Sequence, residues 1–204
     1  MKRRILTYPE SQKILAPFYS KISTAILEGF ADYNVVVNTS SDKVGYTEYE
    51  PRTKACLIHD HIKKRIQEVF YDVDEVKIGK WNDIFALKIN DDLFIRFNKC
   101  DKYYKSSHDS NKQSKAYRKQ MLIEGFPDEP TFLYAGYIPD ASWTKVDGIY
   151  LSCWDGTSLV WVENLIQKTG SVQTSLPLHE EQKVIQKRVK VKKRPDKKTG
   201  TNDK

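Results

Sequence analysis

The stretch Asp74–Lys99, DEVKIGKWNDIFALKINDDLFIRFNK, decides the fold. It reads as three short strands, DEVKIG, DIFALKIN and DLFIRFNK, with Asn90, Asp91 and Asp92 making a tight turn between the last two. In the third, Leu93, Ile95 and Phe97 alternate with Phe94 and Arg96, so the two sets take opposite faces of a sheet. A helix over Thr53–Phe70 precedes this meander. Ala55, Ile58, Ile62, Ile66 and Val69 recur three or four residues apart along it, and Thr53 is the expected N-cap.

The same order returns downstream. SKAYRKQMLIEG (114–125) reads as a short helix stopped by Gly125. Strands TFLYAGYI, GIYLSCW and SLVWVENL follow. Asp155-Gly156 is the strongest hairpin signal in the chain. A turn centred there sets Trp154 opposite Thr157, Ser152 opposite Leu159 and Tyr150 opposite Trp161. One face would then carry Ile149, Leu151, Cys153, Val160 and Val162 as core, and the other Tyr150, Trp154, Leu159 and Trp161. Towards the N-terminus, APFYSKISTAILEGFADY (16–33) predicts a helix on the stripe Phe18, Ile22, Ala25, Ile26 and Gly29. YNVVVN (33–38) predicts a short strand and TSSDKVGYTEYEP (39–51) a loop. The expected fold class is α+β: an antiparallel sheet of two three-stranded meanders with two to three helices packed on it. It forms a single domain over 1–166, followed by a flexible linker and disordered basic tail over 167–204.

Charge is segregated along the chain. The whole carries +7, but Lys183–Lys204 holds ten Lys/Arg against two Asp, which is +8 and leaves residues 1–182 at −1. The body therefore lacks a broad phosphate-attracting field, while the tail is drawn to polyanions with strong salt dependence. Cys56, Cys100 and Cys153 are odd in number and widely spaced, which argues against a disulfide scaffold or a thiolate zinc site. The start, MKRRILTYPE, has too short an apolar run for a secretory signal, and no run is long enough to span a bilayer. A cytoplasmic location and no membrane association are expected.

Four features bear on chemistry. His59, Asp60 and His61 are adjacent in one helix, so they point about 100° apart and do not converge on one ion. His59 or His61 instead suits acid–base work on RNA with Arg52, Arg96 or Lys99 as the cation, against an ordinary core-edge histidine. Glu75-x-Lys77 on a strand is an acidic-x-lysine pattern in which Glu75 would hold Mg²⁺ and Lys77 a water or phosphate, against a solvated strand edge. RFNKCDKYYK (96–105) places Arg96 in an apolar strand and interleaves Lys99, Lys102 and Lys105 with Tyr103 and Tyr104, a pattern that grips phosphates while rings stack bases. The competing reading there is an internal ion pair beside a polar loop. The aromatic set Tyr150, Trp154 and Trp161 is either a stacking platform or core. No glycine-rich phosphate loop or dinucleotide fingerprint occurs, so no cofactor is expected, with Mg²⁺ entering only in a metal-dependent nuclease.

PRTKACLIHDHI (51–62) and LFIRFNKCD (93–101) carry R-T-x-A…I-H-D-H and R-F-x-K-x-D blocks. In these blocks the chain resembles an uncharacterised prokaryotic family whose genes lie near helix-turn-helix regulators or metallopeptidase-like partners in mobile elements. The resemblance singles out Arg52, His59, Asp60, His61, Arg96, Lys99 and Asp101, and supplies a setting without a chemistry.

Together these readings predict a non-enzymatic nucleic-acid-binding or regulatory protein in a bacterial gene-control or defence setting. Its contacts would be Arg52, Arg96, Lys99, Lys102, Tyr103 and Lys105 in the body, with Lys187, Arg188, Lys190, Lys192, Lys193 and Arg194 in the tail. One alternative is a nuclease, metal-dependent through Glu75 and Lys77 or metal-independent through His59. The other is a protein-interaction module of antitoxin or anti-repressor type.

Overall fold

In a computed structural model, described over residues 2–106 and 111–169, a six-stranded sheet runs in the order β1 to β6. The strands are β1 (Val76–Trp81), β2 (Ile84–Ile89), β3 (Leu93–Lys99), β4 (Thr131–Pro139), β5 (Val146–Asp155) and β6 (Ser158–Asn164). β1–β2–β3 and β4–β5–β6 are antiparallel meanders, and β3 and β4 join them in parallel. The helices are α1 (Tyr8–Leu15), α2 (Tyr19–Val44), α3 (Pro51–Val69), α4 (Lys112–Arg118) and α5 (Leu165–Thr169). This is the α+β architecture of two three-stranded meanders read from the sequence. Among the described residues no helix is long and apolar enough to cross a membrane. The basic tail lies outside the described residues.

The central strands are buried on both faces, and alternation sorts their side chains. Leu93, Ile95 and Phe97 of β3, with Leu133, Ala135 and Tyr137 of β4, join Ile22, Ile26, Ile58, Ile62 and Ile66 of α2 and α3 in the main core. Each of those fully covered isoleucines contributes about 1.5–3 kcal/mol by leaving water. Phe94, Phe132, Tyr134 and Trp154 face the other way, into a smaller aromatic core closed by Tyr117 of α4 and by Phe126. The Tyr117 hydroxyl donates to the carbonyls of Phe94 (2.9 Å) and Leu133 (2.8 Å), tying α4 to the β3–β4 junction.

Four local expectations are corrected. YNVVVN is not a strand, because α2 runs through it to Val44. Tyr33 and Val37 extend the Ile26–Phe30 stripe onto the core, while Val35 and Val36 are exposed. α3 begins two residues earlier than expected, with Glu50 at the N-cap and Pro51 in the first turn, where a missing N–H costs nothing. α4 ends at Arg118, and Gln120 at φ 55°, not Gly125, takes the left-handed position after it. The last hairpin turns on Gly156 and Thr157, with Asp155 opposite Ser158 and Gly156 at φ 64°.

A register shift between Cys153 and Trp154 then pairs Cys153 with Trp161 and Tyr150 with Asn164. A one-residue slip exchanges faces. Trp161 therefore enters the main core beside Tyr8, and Val160 is exposed. Trp154 lies in the opposite aromatic core, so Tyr150, Trp154 and Trp161 form no open platform.

Candidate functional site

β2 and β3 are paired only as far as Ala86 opposite Arg96. Beyond that point β2 stays with β1 to Trp81, and β3 stays with β4 to Lys99. The sheet therefore parts between Ile84–Phe85 and Phe97–Lys99. The N-terminal half of α3 lies over the gap. A cleft of about 370 Å³ results, lined among others by Cys56, His59, Phe85, Arg96, Asn98 and Lys99. Alternation places Ile84, Arg96 and Asn98 on the sheet face opposite α3, and Phe85 and Phe97 on the helix side. The cleft thus draws on both faces through the opening.

Arg96 is the least expected group here, at 8% exposure in the middle of an apolar strand. Its guanidinium lies 4.9 Å from the Tyr117 ring centroid and 5.9 Å from that of Tyr134. Its Nη1 has no hydrogen-bond partner, and no carboxylate among the described residues pairs with it. The amide Nδ2 of Asn98, two residues along the same face, is likewise buried without an acceptor. Two buried donors left bare are costly, at about 1–3 kcal/mol each. On the helix side of the gap, His59 packs edge-on to Phe85 at 6.4 Å. Asp60 also lines the cleft, and its carboxylate meets Lys63 at 3.3 Å.

At the mouth, Lys99 and Lys54 both reach Trp143, their ammonium groups 4.8 and 5.8 Å from its ring centroid. Neither forms an ion pair with a described carboxylate. Trp143 stands at φ 60° in the β4–β5 loop, which Asp140 organises. The Asp140 carboxylate accepts the N–H groups of Thr144 (2.8 Å) and Lys145 (3.0 Å) and the hydroxyl of Ser142. Burial pushes this carboxyl upward, but the bonds from Lys145, Ser142 and Thr144 outweigh it and hold the pKa down at about 2.

An unfolded Asp titrates near pH 3.9. The folded value is the lower one, so Asp140 stabilises the loop fully above about pH 4 and loses that contribution as pH falls towards 2. Urea melts between pH 2 and 5 should show a shallower acid loss in Asp140→Asn than in the unaltered chain. Equal slopes in the two proteins would refute this role.

Beyond β3 the chain turns back on itself. The Asp101 carboxylate accepts the N–H groups of Tyr103 (2.8 Å) and Lys105 (3.0 Å), a local closure of the kind short acidic side chains favour. Tyr104 is turned in against Tyr150 at 4.7 Å. Tyr103, Lys102 and Lys105 are left exposed.

The sequence candidates therefore separate. His59, Arg96 and Lys99 converge on one cleft, and Lys102, Tyr103 and Lys105 lie on the loop that continues from it. Arg52 is exposed in the first turn of α3 and does not line the cleft. His61 takes another flank of α3 and acts on Asp32, whose carboxyl Arg65 holds down through a hydrogen bond. Glu75 and Lys77 are exposed at the outer strand. Val76 pairs with Ile89, which puts Glu75 at the end of the hairpin away from Ile84 and the cleft. No group of three His, Cys, Asp or Glu among the described residues is placed to hold a metal ion. Lys187, Arg188, Lys190, Lys192, Lys193 and Arg194 lie outside the described residues. Lys54, Asn98 and Trp143 were missed by sequence reasoning, since nothing local in ASWTK ties Trp143 to Lys54. Comparison with family models, curated proteins and solved structures finds no match.

Proposed function

We propose that this protein binds nucleic acid without transforming it, as a regulatory component of a bacterial gene-control or defence system in the cytoplasm. The observation that carries the reading is the gathering at one end of the sheet of Lys54, Lys99 and Trp143 around a cleft containing Arg96. Two ammonium groups on one indole repel each other. A phosphate between them relieves that repulsion, and an aromatic ring beside them offers a surface for a base. Lys102, Tyr103 and Lys105 extend the same surface. The basic tail adds affinity without sequence preference. The setting rests on the resemblance of the two short blocks alone.

The test is fluorescence anisotropy of labelled single-stranded and duplex oligonucleotides over a salt series. Lys54→Glu with Lys99→Glu should weaken binding by about 10–100-fold, or about 1.4–2.8 kcal/mol. Removal of residues 170–204 should flatten the salt dependence, because fewer counterions are released. Unchanged affinity in the double reversal would remove the body from the interface.

A second reading is favoured by the presence of His59 in the same cleft as Arg96 and Lys99: metal-independent phosphodiester cleavage, with the imidazole as acid or base. It requires product from RNA in the presence of chelator, and loss of that product in His59→Ala.

A further inference from the structure

We propose that the inner part of the cleft, at Arg96 and Asn98, is a subsite for a phosphate monoester, through which the protein recognises the phosphorylated end of a nucleic-acid strand. This rests on the reading above and names the part of the ligand that the cleft takes.

Three observations support it. The first is the pair of bare donors. Arg96 Nη1 and Asn98 Nδ2 are both buried without an acceptor, on the same face of β3. A buried donor without a partner calls for an explanation. Here the two residues that carry them, one cationic, both line the same cleft. The complementary ligand is an oxyanion with several acceptor oxygens and no hydrogens to offer. Arginine suits phosphate because its fork of N–H groups spans two oxygens at once.

The second is depth. Arg96 is 8% exposed, with Tyr117 and Tyr134 against its guanidinium. A phosphodiester within a strand carries a sugar on each side. Reaching a guanidinium so nearly covered would require threading the strand through the gap between β2 and β3. A terminal phosphate has one substituent and projects its oxygens ahead of it. It also carries close to two negative charges at neutral pH, against one for the diester. The volume, about 370 Å³, is that of a small-ligand site and not of a strand-long groove.

The third is continuity. Lys99 lines the cleft and also reaches Trp143, so the subsite opens onto the surface proposed to carry the remainder of the strand. A phosphate at Arg96 would leave its nucleoside at the mouth, where Trp143 can stack on it.

The experiment compares one labelled single-stranded 12-mer DNA carrying a 5′-phosphate, a 3′-phosphate or hydroxyl ends only, titrated with the full-length protein. One phosphorylated form is expected to bind about tenfold or more tighter than the hydroxyl-ended form. Arg96→Gln should abolish that ratio. Asn98→Asp, which sets a carboxylate against the phosphate with little change of shape, should abolish or invert it. The second variant keeps the test intact if loss of Arg96 perturbs folding. Equal binding of all three strands overturns the subsite and leaves the proposed function standing. Absence of binding by any of them overturns both. Competition by thymidine 5′-monophosphate distinguishes the two sources of such a phosphate. If the free nucleotide displaces the phosphorylated strand at a concentration matching the strand's own dissociation constant, the subsite serves nucleotides and recognition of strand ends is overturned.

Discussion

Gln120→Leu is expected to lower the folding stability by roughly 3–5 kcal/mol, because it strands three main-chain groups in a dry interior. β4 and β5 pair from Leu133 opposite Cys153 onward. By that register the next pair is Phe132 with Trp154, and no ladder bond joins them. The Gln120 amide occupies the place. Its Nε2 donates to the carbonyls of Phe132 (2.8 Å) and Trp154 (2.9 Å), and its Oε1 accepts the Phe132 N–H (2.9 Å). The side chain thus replaces the missing rung just where β5 shifts register against β6.

The main chain of Gln120 contributes as well. Its carbonyl accepts the N–H of Arg3 (2.9 Å), anchoring the N-terminal segment. Leucine has a similar volume, so the loss isolates the hydrogen bonds from packing. Gln120 is 1% exposed, which leaves little access for replacement water. In urea, the midpoint should fall with the slope unchanged. A loss under about 1 kcal/mol would mean that the three groups find other partners and that the amide is not the rung.

The sequence carried more of the sheet than of the site, for a physical reason. Strand alternation is local, so β3 showed its two faces in five residues, and Arg96 was visible as a charge on an apolar strand. What Arg96 faces was not visible, because the parting of β2 from β3 depends on how far each follows its outer neighbour. α2 was cut short because Tyr33–Asn38 has the β-branched composition of a strand. Yet Ile26, Phe30, Tyr33 and Val37 keep helical spacing, and burial along that stripe outweighs the weak local preference of the valines. Thr7-Tyr8-Pro9-Glu10 is a further local signal in the sequence. It is a capping box, with Glu10 accepting the N–H of Thr7 at 2.8 Å, and it starts α1. The β5–β6 faces were inverted by the register shift between Cys153 and Trp154, which no local pattern announces; moving the two-residue turn from Asp155-Gly156 to Gly156-Thr157 leaves the parity of every pair unchanged. Trp143 was beyond reach, since its partners come from α3 and β3.

Gly29→Val should be about as damaging, at roughly 3–4 kcal/mol, and should reach the cleft as well. A β-carbon on Gly29 would stand 2.7 Å from both the Cα and the N of Ile62. Those are main-chain atoms of α3, so no rotamer change relieves the overlap, and α2 and α3 must separate. Alanine sets a lower bound. Its overpacking is partly offset by about 1 kcal/mol of helix propensity over glycine. Valine recovers less of that offset and adds two methyl groups at the closest point of the crossing. Ile62 lies one helical turn from His59, which roofs the cleft. Outward movement of α3 also carries Lys54 off Trp143. Stability should therefore fall in the order Gly, Ala, Val, and oligonucleotide affinity of the still-folded Ala variant should fall with it. If alanine weakens folding but leaves affinity untouched, α3 does not set the geometry of the binding surface, and the contacts must lie on β3 and its following loop alone.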